Sequence, residues 1–220
     1  MIALELITDE IPPLKHSDTG ERALRWMEEF KVEHLPVLKG DNFCGLVSED
    51  IIYDRDTPED TLDNLFDHLP RPYVKPNAHI YEILAKISDE KITVVPVIDN
   101  EENYLGCIDI KRLMQHIAET GSIKEVGGII VLEMNQIDYS LVQIAQIVES
   151  NNAKILSVYI SSPKDSNRLE ITLKLSETDL GRILRTFERY DYSIKASYQK
   201  NDYHDDLKNR YDELMNYLKF

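Results

Sequence analysis

The stretch Leu35-Pro36-Val37-Leu38 is repeated as Val95-Pro96-Val97-Ile98, 60 residues further along the chain. Sliding the sequence by 60 residues without a gap also aligns Pro12 with Pro72. An internal repeat at a fixed spacing indicates two copies of one structural unit.

The sequence around each proline predicts the same order of elements in both copies. The helix before it shows apolar residues at the spacing of one face, and the strand after it passes through a glycine. These residues are Ala23, Leu24, Met27 and Gly45 in the first copy and Ile83, Leu84, Ile87 and Gly106 in the second. We therefore predict two β-α-β-β-α repeats, at residues 1–60 and 61–120, related by a pseudo-twofold axis.

A linking segment between the copies is predicted to be helical. Thr57-Pro58-Glu59-Asp60 has an N-cap residue, a proline at the first helical position and acids in the first turn. Leu62, Leu65, Phe66 and Leu69 would form its apolar face.

The doubled pattern resembles a tandem pair of CBS domains, over residues 1 to about 119. The resemblance implies an α+β fold, a CBS pair with clefts between the repeats, and ligands that contain adenosine. The candidate ligands are AMP, ADP, ATP and S-adenosylmethionine. Such pairs usually regulate another activity and seldom catalyse a reaction themselves, so the resemblance implies that the chain is not an enzyme.

In that family, Ser/Thr-x-x-Asp follows the glycine strand, and its aspartate bonds the ribose hydroxyls. Here Ser48 matches, but Ile51 stands at the aspartate position and Asp50 comes one residue early. The second copy has Asp109 for the Ser/Thr and Arg112 for the aspartate. Two readings remain open. Ser48 and Asp109 are N-caps without a ligand, or these residues line altered clefts in which Arg112 meets a phosphate.

Further candidate ligand contacts follow from the same resemblance. His34 precedes the Leu-Pro-Val strand, where the family often places a basic residue facing the cleft, although it also suits a strand edge. The remaining candidates are strand residues: Leu14, Pro36, Val37, Val74, Pro96 and Val97.

The C-terminal half changes character and predicts the order βαββαβ over residues 126–200, the ferredoxin-like arrangement. Strands are expected at 129–134, 155–160, 168–175 and 192–198. Asp138 is expected to cap the first helix, and Ser176-x-x-Asp179 to open the second as a capping box. After CBS repeats, this unit looks like an ACT-type domain, and the whole order resembles the bacterial acetoin-utilisation regulatory proteins.

ACT-type domains often bind amino acids at the loop after the first strand, where a glycine is usual. Here that loop, residues 135–140, has no glycine and contains the bulky Tyr139. A dimerisation or relay role is therefore favoured over an amino-acid sensor. The tail, residues 201–220, predicts an amphipathic helix that packs on its own domain or pairs with a second copy; its stripe is Tyr203, Leu207, Tyr211, Leu214 and Leu218.

Charge narrows the classes of partner. The chain has 220 residues and a net charge of −15. Residues 1–120 contain 25 acidic and 12 basic side chains, a net charge of −13, so most of the negative charge lies in the repeats. This balance argues against binding nucleic acid or an anionic membrane. An adenine nucleotide would need local cations such as Arg112 or His34, or an accompanying Mg²⁺.

Other functional classes find little support. The six histidines have no metal-ligand spacing, and neither a P-loop nor a Gly-x-Ser-x-Gly motif occurs. Two cysteines make no disulfide framework, and no apolar run is long enough to span a membrane. We expect a cytoplasmic regulatory homodimer that senses a nucleotide through its CBS pair. The alternatives are a ligand-free scaffold protein and an amino-acid sensor.

Overall fold

The computed structural model describes residues 1–54, 58–120, 122–162 and 167–199, apart from the side chains at positions 66 and 67. The chain divides into an N-terminal unit, Met1–Ile117, and a C-terminal unit, Ala118–Phe220. The cap predicted at Thr57 and the helix predicted for the tail lie outside the described residues.

The N-terminal unit contains the predicted repeat twice. Its first part comprises α1 (Ala3–Leu6), β1 (Leu14–Lys15), α2 (Gly20–Phe30), β2 (His34–Lys39), β3 (Asn42–Ser48) and α3 (Glu49–Tyr53). Its second part comprises α4 (Ile80–Glu90), β4 (Val94–Ile98), β5 (Tyr104–Asp109) and α5 (Ile110–Thr120). The α+β character and the order of elements in each copy are confirmed.

Strand register shows how closely the copies correspond. In the first repeat, Leu14 of β1 pairs in parallel with Val37 of β2. In the second, Val74 forms an isolated parallel bridge with Val97 of β4, at the same 60-residue offset. The strand following the proline pairs antiparallel in both copies, and its register shifts directly after Val37 and directly after Val97.

Each repeat is completed by a segment that precedes the other. Near the N-terminus, Ala3 N–H donates to the carbonyl of Ala78 over 2.9 Å, and Thr8 N–H to that of Cys107 over 2.9 Å. Conversely, the segment around Leu62, which precedes the second repeat, contacts the first repeat. There Leu62 N–H donates to the carbonyl of Asp18 over 2.9 Å. Ala3 and Leu6 consequently lie in the core of the second repeat, and Leu62, Leu65 and Leu69 in that of the first.

A glycine in β3 and one in β5 let the segment that completes each repeat, here called the exchanged segment, lie close against the strand. A Cβ atom on Gly45 would lie 2.5 Å from the Cβ of Leu69, and one on Gly106 would lie 2.5 Å from Cγ2 of Ile7. Real Cβ contacts are never this short, so both glycines are required by the close approach of the exchanged segment.

The segment between the repeats differs from the predicted helix. Residues 58–60 form a turn and Thr61 bridges Thr19. A 3₁₀ helix then runs over Leu62–His68. The predicted start at Thr57-Pro58-Glu59-Asp60 was therefore wrong for its described residues, because the turn hydrogen-bonds to the first repeat: Gly20 N–H donates to the carbonyl of Asp60 over 3.2 Å.

The C-terminal unit has the predicted βαββαβ order. It comprises β6 (Ile129–Asn135), α6 (Leu141–Ser150), β7 (Ile155–Ser161), β8 (Arg168–Leu175), α7 (Gly181–Arg189) and β9 (Ser193–Tyr198). The sheet order is β7-β8-β6-β9, and every neighbouring pair is antiparallel. This is the ferredoxin-like arrangement, with the first and third strands at the centre.

One face of this sheet packs against both helices. Alternate residues of β6 and β8, such as Leu132 and Ile171, are fully buried there. They contact Ile144 of α6 and Phe187 of α7 in a single apolar core. The period-two alternation on β8 thus places one set of side chains in the core and the other on the opposite face.

Both helix caps predicted for this unit were wrong. Ser140, not Asp138, caps α6 by accepting a hydrogen bond from Gln143 N–H over 3.3 Å. Asp138 instead ends a 3₁₀ turn that begins at Gln136. The α7 helix begins at Gly181, beyond the predicted capping box. The Ser176 hydroxyl accepts from Lys154 N–H, a contact between distant parts of the chain that local sequence does not encode.

Two further findings concern membrane-spanning helices and disulfide bonds. No helix in the described ranges is long and apolar enough to span a bilayer. Cys44 and Cys107 are both free thiols. Cys107 is buried as predicted, whereas Cys44 is only half-buried.

Candidate functional site

The apolar candidate residues are part of the core. Leu14, Val37 and Val97 have no exposed surface, and Val74 is 6% exposed. Pro36 and Pro96 are buried beside them. In this conformation these six side chains hold the strands together, and a ligand would meet only their margins.

The two repeats meet at His34 and Thr93. The Thr93 hydroxyl oxygen accepts a hydrogen bond from Glu33 N–H over 3.0 Å and lies 3.2 Å from Nδ1 of His34. Thr93 N–H donates to the same Nδ1 over 3.3 Å. Thr93 occupies the position 60 residues after Glu33, so equivalent positions of the repeats face each other here. His34 therefore lies at the junction of the repeats as well as at a strand edge.

These contacts define the state of the imidazole. Because Nδ1 accepts from Thr93 N–H, it carries no proton, and the Thr93 hydroxyl can donate to it as well. Burial lowers the pKa of His34 below its ordinary value, and this effect outweighs the opposing influence of Glu33, Asp50 and Glu49. His34 is thus neutral at pH 7, with its proton on Nε2.

Ser48 and Asp50 lie close to this junction in the first repeat. His34 is the strand partner of Ser48, where β3 ends and α3 begins. The Ser48 hydroxyl accepts from Ile51 N–H over 3.3 Å, so Ser48 is an N-cap. Asp50 is exposed in the first helical turn and close enough to His34 to influence its pKa.

Asp109 occupies the corresponding place in the second repeat. Val94 is its strand partner, directly after Thr93. Asp109 is 7% exposed, and its carboxylate accepts a hydrogen bond from Arg112 N–H over 2.6 Å. The Arg112 side chain is exposed, and among the described residues its guanidinium has no ion-pair partner.

The structure thus groups His34, Ser48, Asp50 and Asp109 around the repeat junction, together with Thr93, which the sequence analysis missed. The available signal was its alignment with Glu33 at the 60-residue offset. A threonine opposite a glutamate looks like an ordinary surface difference, and only the fold shows that the two positions touch.

A cavity of about 370 Å³ lies beside the loop after β6, the loop that the sequence analysis considered as an amino-acid site. Arg168 forms an ion pair with Glu133 over 3.1 Å at its edge, and Asn135 donates to Asp138 over 2.9 Å. Tyr139 does not line it but packs against the core of the unit. The cavity therefore offers both charge signs, without the obstruction expected from Tyr139.

The described residues contain no candidate metal site. Within the described ranges, no three His, Cys, Asp or Glu side chains lie close enough together to hold a metal ion.

Comparison with known proteins identifies the repeat. Residues 59–119 match the family model of the CBS domain, which confirms the resemblance predicted for the second copy. Solved structures similar to this chain are CBS domain proteins. A CBS domain pair/ACT domain protein from Thermotoga maritima is 21% identical, with a TM-score of 0.48, and the match covers 54% of this chain and 98% of that one.

Two further solved structures show the same kind of match. A protein from Vibrio cholerae described as a putative acetoin utilization protein (AcuB) is 19% identical, with a TM-score of 0.49, and the match covers 56% of this chain and 95% of that one. CBSX2, solved in complex with AMP, is 19% identical, with a TM-score of 0.46 and coverage of 56% and 98%.

Proposed function

We propose that the chain is a non-catalytic regulatory protein whose two repeats form a CBS pair that binds an adenine nucleotide. The observation that carries this proposal is the junction of His34 with Thr93. It brings together the start of α3, at Ser48, and the start of α5, at Asp109, because each of these residues pairs with a strand residue at the junction.

The proposed contacts follow from the chemistry of the side chains. Arg112 has the planar fork that binds phosphate through two hydrogen bonds. The exposed carboxylate of Asp50 can accept hydrogen bonds from two vicinal ribose hydroxyls. His34, neutral with its proton on Nε2, can donate one hydrogen bond. Since Glu49 and Asp50 add negative charge nearby, Mg²⁺ is expected to assist a nucleotide with several phosphates.

Isothermal titration calorimetry of the full chain with AMP, ADP, ATP and S-adenosylmethionine, with and without Mg²⁺, tests the proposal. We expect at least one of them to bind below millimolar concentration, and Arg112→Gln to weaken that binding about tenfold or more. Lys111→Gln removes an exposed cation next to it in the sequence and serves as the matched control. Absence of heat and of thermal stabilisation with all four compounds contradicts the proposal.

A ligand-free scaffold protein is the second candidate, because three of the polar candidate residues at the junction already have partners within the protein. Ser48 and Asp109 cap helices, and His34 binds Thr93. Mass spectrometry of small molecules released from the purified protein separates the two. A recovered adenine nucleotide supports the sensor, and an empty spectrum together with silent calorimetry supports the scaffold.

The proposal assigns assembly and relay to the ACT-like unit, in a homodimer that acts in the cytosol. Nucleotide binding would regulate another protein only if the ligand favours one arrangement of the homodimer over another. Sedimentation velocity with and without the nucleotide found by calorimetry tests this assignment. The cavity beside Asn135 supports an amino-acid sensor as a further alternative. Calorimetric titration with the twenty amino acids tests it.

A further inference from the structure

The ferredoxin-like sheet has an open edge at β7. The sheet order is β7-β8-β6-β9, so β7 pairs with β8 on one side, and no strand of the described ranges pairs with it on the other. Along that side run backbone N–H and C=O groups that a further strand can bind. Proteins commonly protect such an edge with charged side chains or with proline.

The sequence of β7 has neither form of protection. Ile155-Leu156-Ser157-Val158-Tyr159-Ile160-Ser161 contains five hydrophobic residues and two serines, without a charged residue or a proline. Val158, Tyr159 and Ile160 are 37%, 63% and 45% exposed. The strand at the opposite edge, β9, carries Lys195. The composition of β7 is therefore that of a strand with neighbours on both sides.

Hydrophobic side chains project from both faces of β7. Val158 and Ile160 pair with buried core residues of β8, so they lie on the helical side of the sheet. Tyr159 pairs with Thr172 and lies on the opposite face. Side chains directly opposite each other in an antiparallel pair stabilise it, especially β-branched and aromatic ones. A strand added at this edge would gain such contacts on both faces, besides backbone hydrogen bonds.

The regular part of β7 is complementary to itself. The pairing with β8 shifts near the start of the strand, where the Leu156 carbonyl accepts from the Ser122 hydroxyl over 3.4 Å, and residues 157–161 then pair without interruption. Two such segments can pair antiparallel about a twofold axis at their centre. The opposed residues are then Tyr159 with Tyr159, Val158 with Ile160, and Ser157 with Ser161. Each pair lies on one face of the sheet, and hydrophobic residues face hydrophobic ones.

We propose that β7 strands of two copies pair antiparallel about a twofold axis at Tyr159 and join their sheets into one sheet of eight strands. This inference rests on the homodimer of the proposed function and names the surface that forms it. Charge favours a second copy at this unit. Residues 121–220 contain 15 acidic and 13 basic side chains, a net charge of −2, whereas residues 1–120 have −13. Two copies therefore repel each other least through their C-terminal units.

Single cysteines in the full chain test the register, in a Cys44→Ser background that keeps the buried Cys107. Tyr159→Cys would place two Cβ atoms about 4.5–5.5 Å apart across the axis, close enough for a disulfide after a small adjustment. Ser157→Cys and Ser161→Cys lie on the same face, but each would be about 14 Å from its equivalent in the second copy. After mild oxidation, non-reducing gel electrophoresis measures the rate at which linked dimers form.

A charged side chain at the axis gives a second, independent test. Tyr159→Lys would bring two ammonium groups together, and like charges directly opposite each other destabilise a strand pair. Tyr198→Lys is the matched control, because Tyr198 is 61% exposed and lies on the same face of the sheet, on the opposite edge strand. Sedimentation velocity at several protein concentrations measures dimer dissociation, and circular dichroism verifies that each variant folds.

We expect Tyr159→Cys to link at least tenfold faster than either serine position. We also expect Tyr159→Lys to raise the dissociation constant of the dimer at least tenfold, while Tyr198→Lys changes it less than twofold. Equal linking rates at the three positions, or a dimer that Tyr159→Lys leaves intact, would overturn the pairing of β7 but leave the homodimer of the proposed function standing.

A monomeric parent protein would overturn both the pairing and the homodimer. Amide hydrogen exchange at β7 would then identify what meets the edge. Slow exchange in the monomer would assign it to a segment of the same chain, and fast exchange would leave it open to a strand of a different protein. Nucleotide binding measured by calorimetry is independent of all these outcomes, so it tests the sensor separately.

Discussion

Thr93 donates its backbone N–H to Nδ1 of His34 over 3.3 Å, and this bond joins the two repeats through residues that the repeats do not share. At the 60-residue offset, His34 corresponds to Val94 and Thr93 to Glu33. The junction is therefore asymmetric although the backbones around it match. An imidazole that must stay neutral to accept this bond makes the contact between the repeats dependent on pH.

The stability of the N-terminal unit should fall below about pH 6.5 because of His34. In the folded protein, burial lowers the pKa of His34 below its ordinary value of 6.5. The unfolded chain therefore binds a proton at His34 at a higher pH than the folded protein does. The free energy of unfolding therefore falls as pH drops through 6.5 and levels off below the folded pKa. Urea unfolding at pH 8 and pH 5 measures the change.

The variant His34→Asn removes this titration and should lose less stability than the parent between pH 8 and pH 5. The same pH dependence in His34→Asn as in the parent would contradict the assignment.

Removal of either partner should destabilise the protein, and the two losses should not add. His34→Ala removes both contacts of Nδ1, whereas Thr93→Val removes the contacts of the hydroxyl and leaves the backbone N–H in place; each change should cost about 1 kcal/mol. The double variant should lose less than the sum of the two, with a coupling energy between about 0.5 and 1 kcal/mol, since the shared interaction cannot exceed either single loss. Strict additivity in urea unfolding at pH 8 would show that the side chains of His34 and Thr93 are not energetically coupled.

The repeated strands and helices could be predicted from sequence because their signal is local. The Pro-Val strands, the helix faces that contain Met27 and Ile87, and the period-two alternation of β8 all reflect burial by the nearest elements. The same holds for the order of elements in the C-terminal unit. In each of these cases the core-facing side is marked by residues a few positions apart.

The exchanged segments and the junction could not be predicted in this way. Leu6 packs in the second repeat and Leu62 in the first, although the predicted bounds, residues 1–60 and 61–120, assign each of them to the other repeat. Both are apolar leucines, and their residue type does not indicate which of the two cores they enter. The misassigned caps have a similar cause, since Ser176 bonds a backbone N–H more than twenty residues away. Likewise, Thr93 acquires its role only when the two repeats face each other.

The two N-cap residues near the junction should each contribute to stability without any ligand. Asp109→Ala and Ser48→Ala should each lower the free energy of unfolding by about 0.5–2 kcal/mol. The loss should be larger at Asp109, because its bond of 2.6 Å is more buried than the 3.3 Å bond of Ser48. Urea unfolding of ligand-free protein measures both.

Asp109→Ser should recover much of the loss, since a hydroxyl also caps a helix, while Lys111→Ala should stay within about 0.5 kcal/mol of the parent. Unchanged stability in both alanine variants would leave these side chains without a structural role and favour the ligand-binding one.

The two free thiols should react very differently. Burial raises the pKa of Cys107 to about 11, and the side chain has no exposed surface. Cys44 is half-buried at the start of β3, and partial burial raises its pKa as well. A disulfide-forming chromogenic reagent at pH 8 should therefore modify one thiol per native chain and two in urea. Rapid modification of two thiols in native protein would contradict the buried position of Cys107.

Alanine at either strand glycine should destabilise the N-terminal unit by displacing the exchanged segment. A Cβ atom at position 45 would lie 2.5 Å from Leu69, and one at Gly106 would lie 2.5 Å from Ile7, so a backbone or side-chain shift is required in both variants. Overpacking of this kind costs about 1–3 kcal/mol. Gly181→Ala, whose Cβ would meet only the flexible side chain of Asp179 at 3.2 Å, should stay within about 1 kcal/mol of the parent. Urea unfolding compares the three variants. If Gly45→Ala and Gly106→Ala were as stable as Gly181→Ala, the segments around Leu69 and Ile7 would not be packed across the repeats, and the completion of each repeat by the other's flank would be wrong.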